Sequence, residues 1–548
     1  MINLGFDKSF TELVCFQGDA TTTDGKNYRI TNKDWDGDLH SGESFKIEMQ
    51  ATFATGGKPE LISADIDGSS ICGGSSPTTS TTTSTTTTTQ PGPTTTTCAP
   101  PPTKPEDSTT RPPPQPCTYR KWFNTTKTKV SCHGLAKLSG KYAYDEVLCE
   151  SMLFYEAERS GKLPSDNRVP WRDDSALDDL VPGGYYDAGD FVKFGFPMAS
   201  MTTMLAWGGV SFPDGYDISG QTEWFTKTLK WSTDYFMAAH LADTEFVGQI
   251  GDGDADHANW GRPEDMTMNR PAFKITASAP GSELAAETAA ALAASAIWYR
   301  CNGDDSYANQ CLEHAKTLYA FADEYRGKYT DAIPNAANFY QSWSGFNDEL
   351  VWGAAWLAKA TGDNSYLEKA EAYYEEFGLN DPVEMSWDDK TAGVFLILYE
   401  LTGNQRYEEK AAKFVDYFLN LERTAKGLVW SSSSQWGSLR YAANYAHFAV
   451  QAARLGIKKT EGNNFAKSQI DYILGDTGRS YVVGWGVDPP THCHHRAASC
   501  PDRPAVCDWN SGMNNPGPNH QVLHGALVGG PDHNDNYVDD RNQFQVPL

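Results

Sequence analysis

The order of apolar and polar positions divides this chain into three stretches of different character. From about residue 118 onward the apolar residues recur at helical spacing: Tyr366, Ala370, Tyr373 and Phe377 fall at i, i+4, i+7 and i+11, and Tyr407, Ala411, Phe414 and Phe418 repeat that spacing. Each set predicts a helix with one apolar side. The turns between tracts repeat as well, as Gly303-Asp304-Asp305-Ser306-Tyr307, Gly362-Asp363-Asn364-Ser365-Tyr366 and Gly403-Asn404-Gln405-Arg406-Tyr407. Glycine ends one helix, Asp or Asn caps the next, and a Tyr four residues after the glycine packs back on the pair. The pattern is an internal repeat of helical hairpins. Eleven helical tracts are predicted, beginning near residues 145, 198, 222, 283, 305, 346, 364, 389, 405, 435 and 461. Long polar-aromatic loops at 242–281 and 475–530 favour a closed toroid over an open solenoid, because such loops can gather at one mouth.

Residues 1–74 instead alternate, as in Phe45-Lys46-Ile47-Glu48-Met49-Gln50, which is the period of strands with one buried face and predicts a small β module. Residues 75–117 have neither period. Runs such as Thr78-Thr79-Ser80-Thr81-Thr82-Thr83 and Pro112-Pro113-Pro114 cannot bury a core and read as an extended, glycosylated spacer. Residues 118–548 then form the large helical domain.

Composition narrows the partners. The formal charge of −26 repels nucleic acid and anionic membranes, leaving neutral substrates open. No apolar run approaches the roughly 18 residues of a spanning helix. Sixteen Trp, 26 Tyr and 25 Phe exceed what packing needs, and flat rings stack well on pyranose faces. Eleven Cys, the Thr/Pro tract and the Asn124-Thr125-Thr126 sequon point outside the cytosol, to a secreted protein. The first residues lack the basic start and apolar stretch of a secretion signal, and the Cys count is odd, so the front of the chain is expected to be missing.

The candidate chemistry centres on Gly183-Gly184-Tyr185-Tyr186-Asp187-Ala188-Gly189-Asp190. Two carboxylates three residues apart, with only Ala and Gly between them, can converge on one water molecule. The structural alternative is an Asx turn in a surface loop. Four further stretches join it: Gly251-Asp252-Gly253-Asp254-Ala255-Asp256-His257 with Trp260; Phe339-Tyr340-Gln341-Ser342-Trp343-Ser344-Gly345 running into Asp348-Glu349; Trp387-Asp388; and Trp436-Gly437-Ser438-Leu439-Arg440-Tyr441. The last candidate, Thr491-His492-Cys493-His494-His495-Arg496, admits a zinc reading, but no partner set at finger spacing accompanies it.

Together GGYYDAGDFVKFGFP, GDGDADH, SGFNDELVWGAAWL, WGSLRY, HHRAAS and GALVGGPDHNDNYVDDR resemble the family 9 glycoside hydrolases, chiefly endo-β-1,4-glucanases and closest to animal members, over about residues 140–544. The resemblance implies an (α/α)6 barrel with a cleft across one end, and inverting hydrolysis of cellulose or soluble β-1,4-glucan. Asp190 would be the general base, with Asp187 holding the same water. His494 and Arg496 would bond glucose hydroxyls beside the scissile bond, and His257, Phe339, Tyr340, Trp343, Trp436 and Tyr441 would form sugar subsites. Ser344, Gly345, Asp348, Glu349 and Asp388 match a calcium site of some members, and no cofactor is required for the chemistry. Residues 1–74 resemble the second half of a family 2 carbohydrate-binding module, a partial β-sandwich in which Trp35 would stack on the polysaccharide. A monomer is expected.

Three departures from the family pattern stand out. Asp488 replaces Asn or a basic residue, and Cys493 replaces Pro or an aliphatic, tolerable through a bridge to Cys500 or Cys507. The third concerns the residue that protonates the leaving oxygen, a Glu in the family, whose position is taken by Leu548. The helix following that Glu is also expected to be absent, so that the barrel lacks its last helix and this form is feebly active or inactive. An inactive cellulose-binding protein, told apart by viscosity loss of carboxymethylcellulose, and another helical-barrel carbohydrate enzyme such as a lyase, told apart by ultraviolet absorption of its unsaturated product, are the competing readings.

Overall fold

The computed structural model describes residues 140–542 except residue 380, together with Cys132; of Trp436 only the backbone is described, and of the N-terminal region only the backbone of its strands. The chain divides into two compact units, Met1–Glu106 and Asp107–Leu548. In the first, β1 (Ile2–Phe6), β3 (Gly18–Thr22), β4 (Asn27–Asn32), β6 (Leu61–Ile66) and β7 (Ser69–Ser70) form an antiparallel sheet in the order β3-β4-β1-β6-β7, while β2 (Glu12–Cys15) pairs with β5 (Met49–Thr52). Trp35 and the Thr/Pro stretch lie outside the described residues.

The second unit is helical. Its long helices are α1 (Tyr144–Ala157), α2 (Gly195–Ser211), α3 (Thr222–Ala239), α4 (Ser282–Cys301), α5 (Asp305–Glu324), α6 (Asn347–Thr361), α7 (Asn364–Phe377), α8 (Thr391–Thr402), α9 (Gln405–Leu419), α10 (Ser438–Arg454) and α11 (Lys459–Asp471). All eleven tracts expected from periodicity and turns are present, each starting within one helical turn of the expected position. The expected caps are made: Asp304 accepts from the Tyr307 amide at 3.0 Å, Asp363 from Ser365 at 2.9 Å and Asn404 from Arg406 at 3.1 Å. Gly362 and Gly403 end α6 and α8 in the left-handed region, at φ 71° and 66°, where a side chain would be strained.

Burial sorts the helices into two layers. Helices α4, α6 and α8 are buried on nearly every face, whereas α5, α7 and α9 bury one stripe or less. The inner helices α2, α4, α6, α8 and α10 pack side by side in that order, and α3, α5, α7, α9 and α11 each back an inner partner, with α1 beside α3. This is an (α/α)6 barrel with six outer and five inner helices among the described residues. Its centre is filled by Trp207, Trp352 and Trp356, packed edge to face at 5.5 to 6.1 Å. No helix among the described residues is long and apolar enough to cross a membrane.

A small sheet ties two of the motif-bearing loops together. Strand β8 (Lys193–Phe194), just after Asp190, pairs antiparallel with β10 (Glu245–Ile250), just before the GDGDADH loop, with Ile250 opposite Lys193; β9 (His240–Ala242) and β11 (Ala272–Thr276) complete it. One disulfide, Cys500–Cys507, staples the loop after the histidine run, and Cys132–Cys149 anchors α1. The expected bridge from Cys493 is not made. Cys500 and Cys507 satisfy one another, and Cys493 is a buried free thiol that accepts from Asn519 Nδ2 at 3.1 Å.

Candidate active site

The Asp187–Asp190 turn is seated on the histidine run. The Asp190 amide donates to the Asp187 carbonyl at 3.0 Å, and Ala188 takes φ 47° to close the turn. A Cβ on Gly189 would lie 2.4 Å from the His494 carbonyl oxygen, so only glycine allows this approach. The contact is sealed by the Arg496 amide, which donates to the Gly189 carbonyl at 3.2 Å. The spacing of the two aspartates thus reflects a backbone-to-backbone docking.

Both carboxylates are held by identifiable donors. Tyr340 donates its hydroxyl to Asp187 Oδ2 at 2.5 Å, and the Val192 amide donates to Asp190 Oδ1 at 2.8 Å. The other Asp190 oxygen faces His257 Nε2 at 3.6 Å, and 11% of the Asp190 side chain stays open. Burial pushes Asp187 up to about 6, with the Tyr340 hydrogen bond opposing that rise. Burial, then the charges of Asp187 and Asp256, push Asp190 well above the ordinary carboxylate range. Two close, buried carboxylates thus hold their protons more tightly than ordinary ones, and each must be ionised before it can accept a hydrogen from water.

His494 has its tautomer set by its surroundings. Its Nδ1 lies 2.8 Å from the Arg541 carbonyl, which only accepts, so Nδ1 carries the hydrogen and Nε2 keeps a lone pair. Burial holds its pKa below the usual imidazole value, which keeps the ring neutral. Arg541, a residue the sequence reading passed over, holds the 515–519 loop through Asn519 Oδ1 and the Asn515 and Gly517 carbonyls, each at 2.5 Å. Asp539 accepts from the amides of Thr491 at 2.7 Å and His492 at 3.1 Å and so orients that loop. The three rings of the run turn to separate partners: His492 to Asp539, His494 to Arg541, and His495 to Glu158 at 2.8 Å.

Arg496 is 3% exposed and its guanidinium is paired with Asp256, which braces the GDGDADH loop. Two other residues missed in sequence bear on the site: Asp256, whose Oδ1 is buried without a hydrogen-bond partner, and Arg440, which is exposed and holds down the Asp187 pKa. A local signal existed for both, since each lies inside a quoted motif.

The expected aromatic residues fall into different settings. Phe339 stacks on His257 at 4.8 Å, and Tyr340 packs against Phe194 and Trp387 at 5.0 Å each, so these rings line the aspartate pair. Trp343 is 61% exposed, while Tyr441 is 9% exposed beneath the Arg440 guanidinium. The backbone of Trp436 closes a short turn, Ser434–Trp436; its side chain, like Trp35, lies outside what is described.

The candidate calcium residues share one neighbourhood. Asp388 accepts from the amides of Trp343 at 3.1 Å and Ser344 at 3.0 Å, Ser344 Oγ donates to the Asp388 carbonyl at 2.6 Å, and Asp348 accepts from the Lys390 amide at 2.6 Å. The Gly345 carbonyl accepts from Ser342 at 3.0 Å. Both carboxylate oxygens of Glu349 are buried without a hydrogen-bond partner. Burial lifts Asp348 to about 7 and Asp388 to about 6, and the Lys390 ammonium lies 3.6 Å from both Glu349 and Glu287. These are oxygen donors with buried negative charge, the chemistry a hard divalent cation takes, but among the described residues the groups whose ligand atoms converge within 4.8 Å of one another are Asp190, Asp256 and His257 and not these acids.

A helical toroid whose loops gather a carboxylate pair, a neutral imidazole and stacked rings has the make-up of a carbohydrate-cleaving barrel. The family model "Glycosyl hydrolase family 9" matches residues 144–546, and the chain belongs to that family. Endoglucanase B of Cellulomonas fimi is 46% identical over 432 residues, 74% of this chain and 40% of that protein. A termite endoglucanase structure, from Nasutitermes takasagoensis, matches with a TM-score of 0.73 at 54% identity, covering 74% of this chain and 95% of that one. Endoglucanase CelQ of Clostridium thermocellum, complexed with cellotetraose, matches with a TM-score of 0.66 at 37% identity, covering 74% and 68%. The chain spans between 40% and 65% of the length of the Cellulomonas protein and two further bacterial relatives.

Proposed function

We propose that this protein hydrolyses internal β-1,4-glucosidic bonds of cellulose or soluble β-glucan with inversion at the anomeric carbon. The observation that carries the reading is the seating of the Asp187–Asp190 turn on the backbone of His494 to Arg496, which puts two poised carboxylates beside a neutral imidazole. Asp190 takes the proton from the attacking water while Asp187, fixed by Tyr340, accepts the other hydrogen of the same water. His494 Nε2 accepts a sugar hydroxyl. Phe339, Tyr340, His257, Trp343, Trp436 and Tyr441 form the subsites, and Arg496 positions the loop that carries His257. Calcium, held by Ser344, Gly345, Asp348, Glu349 and Asp388, braces the cleft and takes no part in bond cleavage. The strand-rich unit with Trp35, the Thr/Pro spacer, a monomeric state and secretion belong to the same proposal, a tethered enzyme working on an insoluble surface outside the cell.

The proton donor to the leaving oxygen is the part that Leu548 cannot supply. Acid assistance is worth about 10²- to 10⁴-fold and matters in proportion to how poor the leaving group is. A substrate that leaves unaided therefore reports the base alone. We expect 2,4-dinitrophenyl β-cellobioside to be cleaved with the α-anomer as first product by proton NMR, Asp190→Asn to abolish this, and carboxymethylcellulose to lose viscosity far more slowly. Release of β-cellobiose, or undiminished cleavage by Asp190→Asn, would sink the assignment of the base.

A further inference from the structure

The loop stapled by Cys500–Cys507 leads into a ring that the mechanism above leaves unused. Trp509 is 42% exposed, whereas Trp260 beneath it is 7% exposed; their centroids are 5.3 Å apart and their planes 42° apart. Trp260 in turn meets the His494 ring edge to face at 5.3 Å. The three rings form a row that starts beside the catalytic turn and ends in solvent.

The row is built rigidly. Trp260 Nε1 donates to Ser499 Oγ at 2.9 Å, and a Cβ on Gly512 would lie 2.3 Å from that nitrogen, so glycine is needed for the loop to close over the indole. The turn bearing Trp509 is fixed by Asp508, whose carboxylate accepts from the amides of Asn510 at 3.0 Å and Ser511 at 2.9 Å, and by the Asn514 amide, which donates to the Trp509 carbonyl at 2.7 Å. A ring placed only for packing is covered by its neighbours. Here one indole backs another and leaves a flat apolar surface open on an ordered turn, which is what an uncharged pyranose face requires.

We propose that Trp509 is a glucosyl-stacking platform that extends the cleft beyond His494. It takes a further sugar of a β-1,4-glucan chain, and so makes affinity depend on chain length. This rests on the glucan-hydrolase reading above.

The test titrates cellotriose, cellotetraose, cellopentaose and cellohexaose by calorimetry into the full chain carrying Asp190→Asn to prevent turnover, alone and combined with Trp509→Ala or Trp509→Phe. Affinity is expected to rise about three- to tenfold at the length that first reaches Trp509. Trp509→Ala should lose that step while keeping the affinity for shorter sugars, and Trp509→Phe should retain most of it. Affinities in Trp509→Ala that match those of the Asp190→Asn parent at every length, with the step retained, overturn the platform, as does an equal loss at all lengths, which would mark Trp509 as a structural prop. Absence of binding to any oligosaccharide by the Asp190→Asn chain alone overturns the glucan reading and the platform with it.

Discussion

A phenol hydroxyl 2.5 Å from Asp187 opposes the rise that burial imposes on that carboxylate. Burial raises Asp187 to about 6 and the Tyr340 hydrogen bond pulls it down, so the bond stabilises the ionised form. The base works only when ionised, and activity therefore falls as pH drops through the pKa values of the pair. With 2,4-dinitrophenyl β-cellobioside as substrate, the acid limb of kcat/KM is expected above the ordinary carboxylate range. Tyr340→Phe removes a stabiliser of the anion and should move that limb to higher pH; an unmoved limb, or one shifted to lower pH, would show that Tyr340 does not govern the pair. Asp187, Asp190, His494 and Tyr340 were all legible as candidates because motif and residue type announce them. That Arg496 is buried against Asp256 was not, because nothing local to His-His-Arg says which way a guanidinium five bonds from the backbone will point.

Among the elements, caps and stripes were the legible features. Asp304, Asp363 and Asn404 each satisfy an amide that the first turn of a helix leaves without a partner, an effect set by three neighbouring residues. Replacing Asn404 by Ala should lower unfolding stability by about 1 kcal/mol, read as a shift in the denaturant midpoint, whereas Gln405→Ala should change it little. Outer helices such as α9 show the periodic stripe because one side faces solvent. The inner helix α4 shows none, since it is buried all round, and only its flanking turn signals located it. The short helices at Gly253–His257 and Pro334–Tyr340 escaped notice, being too short to show a period, yet they carry His257, Phe339 and Tyr340.

Across the catalytic unit, the site is assembled from loops that are distant in sequence and joined by β8–β10 pairing, by the Gly189 contact and by Arg541. The buried acids Asp348, Glu349 and Asp388 repel one another, with Lys390 the one ammonium paired among them in the described residues, a cost that bound calcium would relieve. Removing calcium with a chelator should therefore lower Tm, by an amount corresponding to roughly 2–3 kcal/mol where the ion had been present at about 100 times its Kd. Asp388→Ala should abolish the difference between chelated and calcium-supplied protein. An unchanged Tm on chelation in the parent chain would remove calcium from the proposal.

The order of residues alone determined the helical hairpins, their caps and turns, the family and the identity of the paired aspartates, because these depend on contacts within a few positions or on short motifs. The tertiary structure alone decided that Cys500 pairs with Cys507 and leaves Cys493 free, that Arg496 pairs with Asp256, and that Arg541 sets the tautomer of His494. Each of those outcomes turns on side chains from separate loops arriving at one point, and the closed ring of helices is what brings them there.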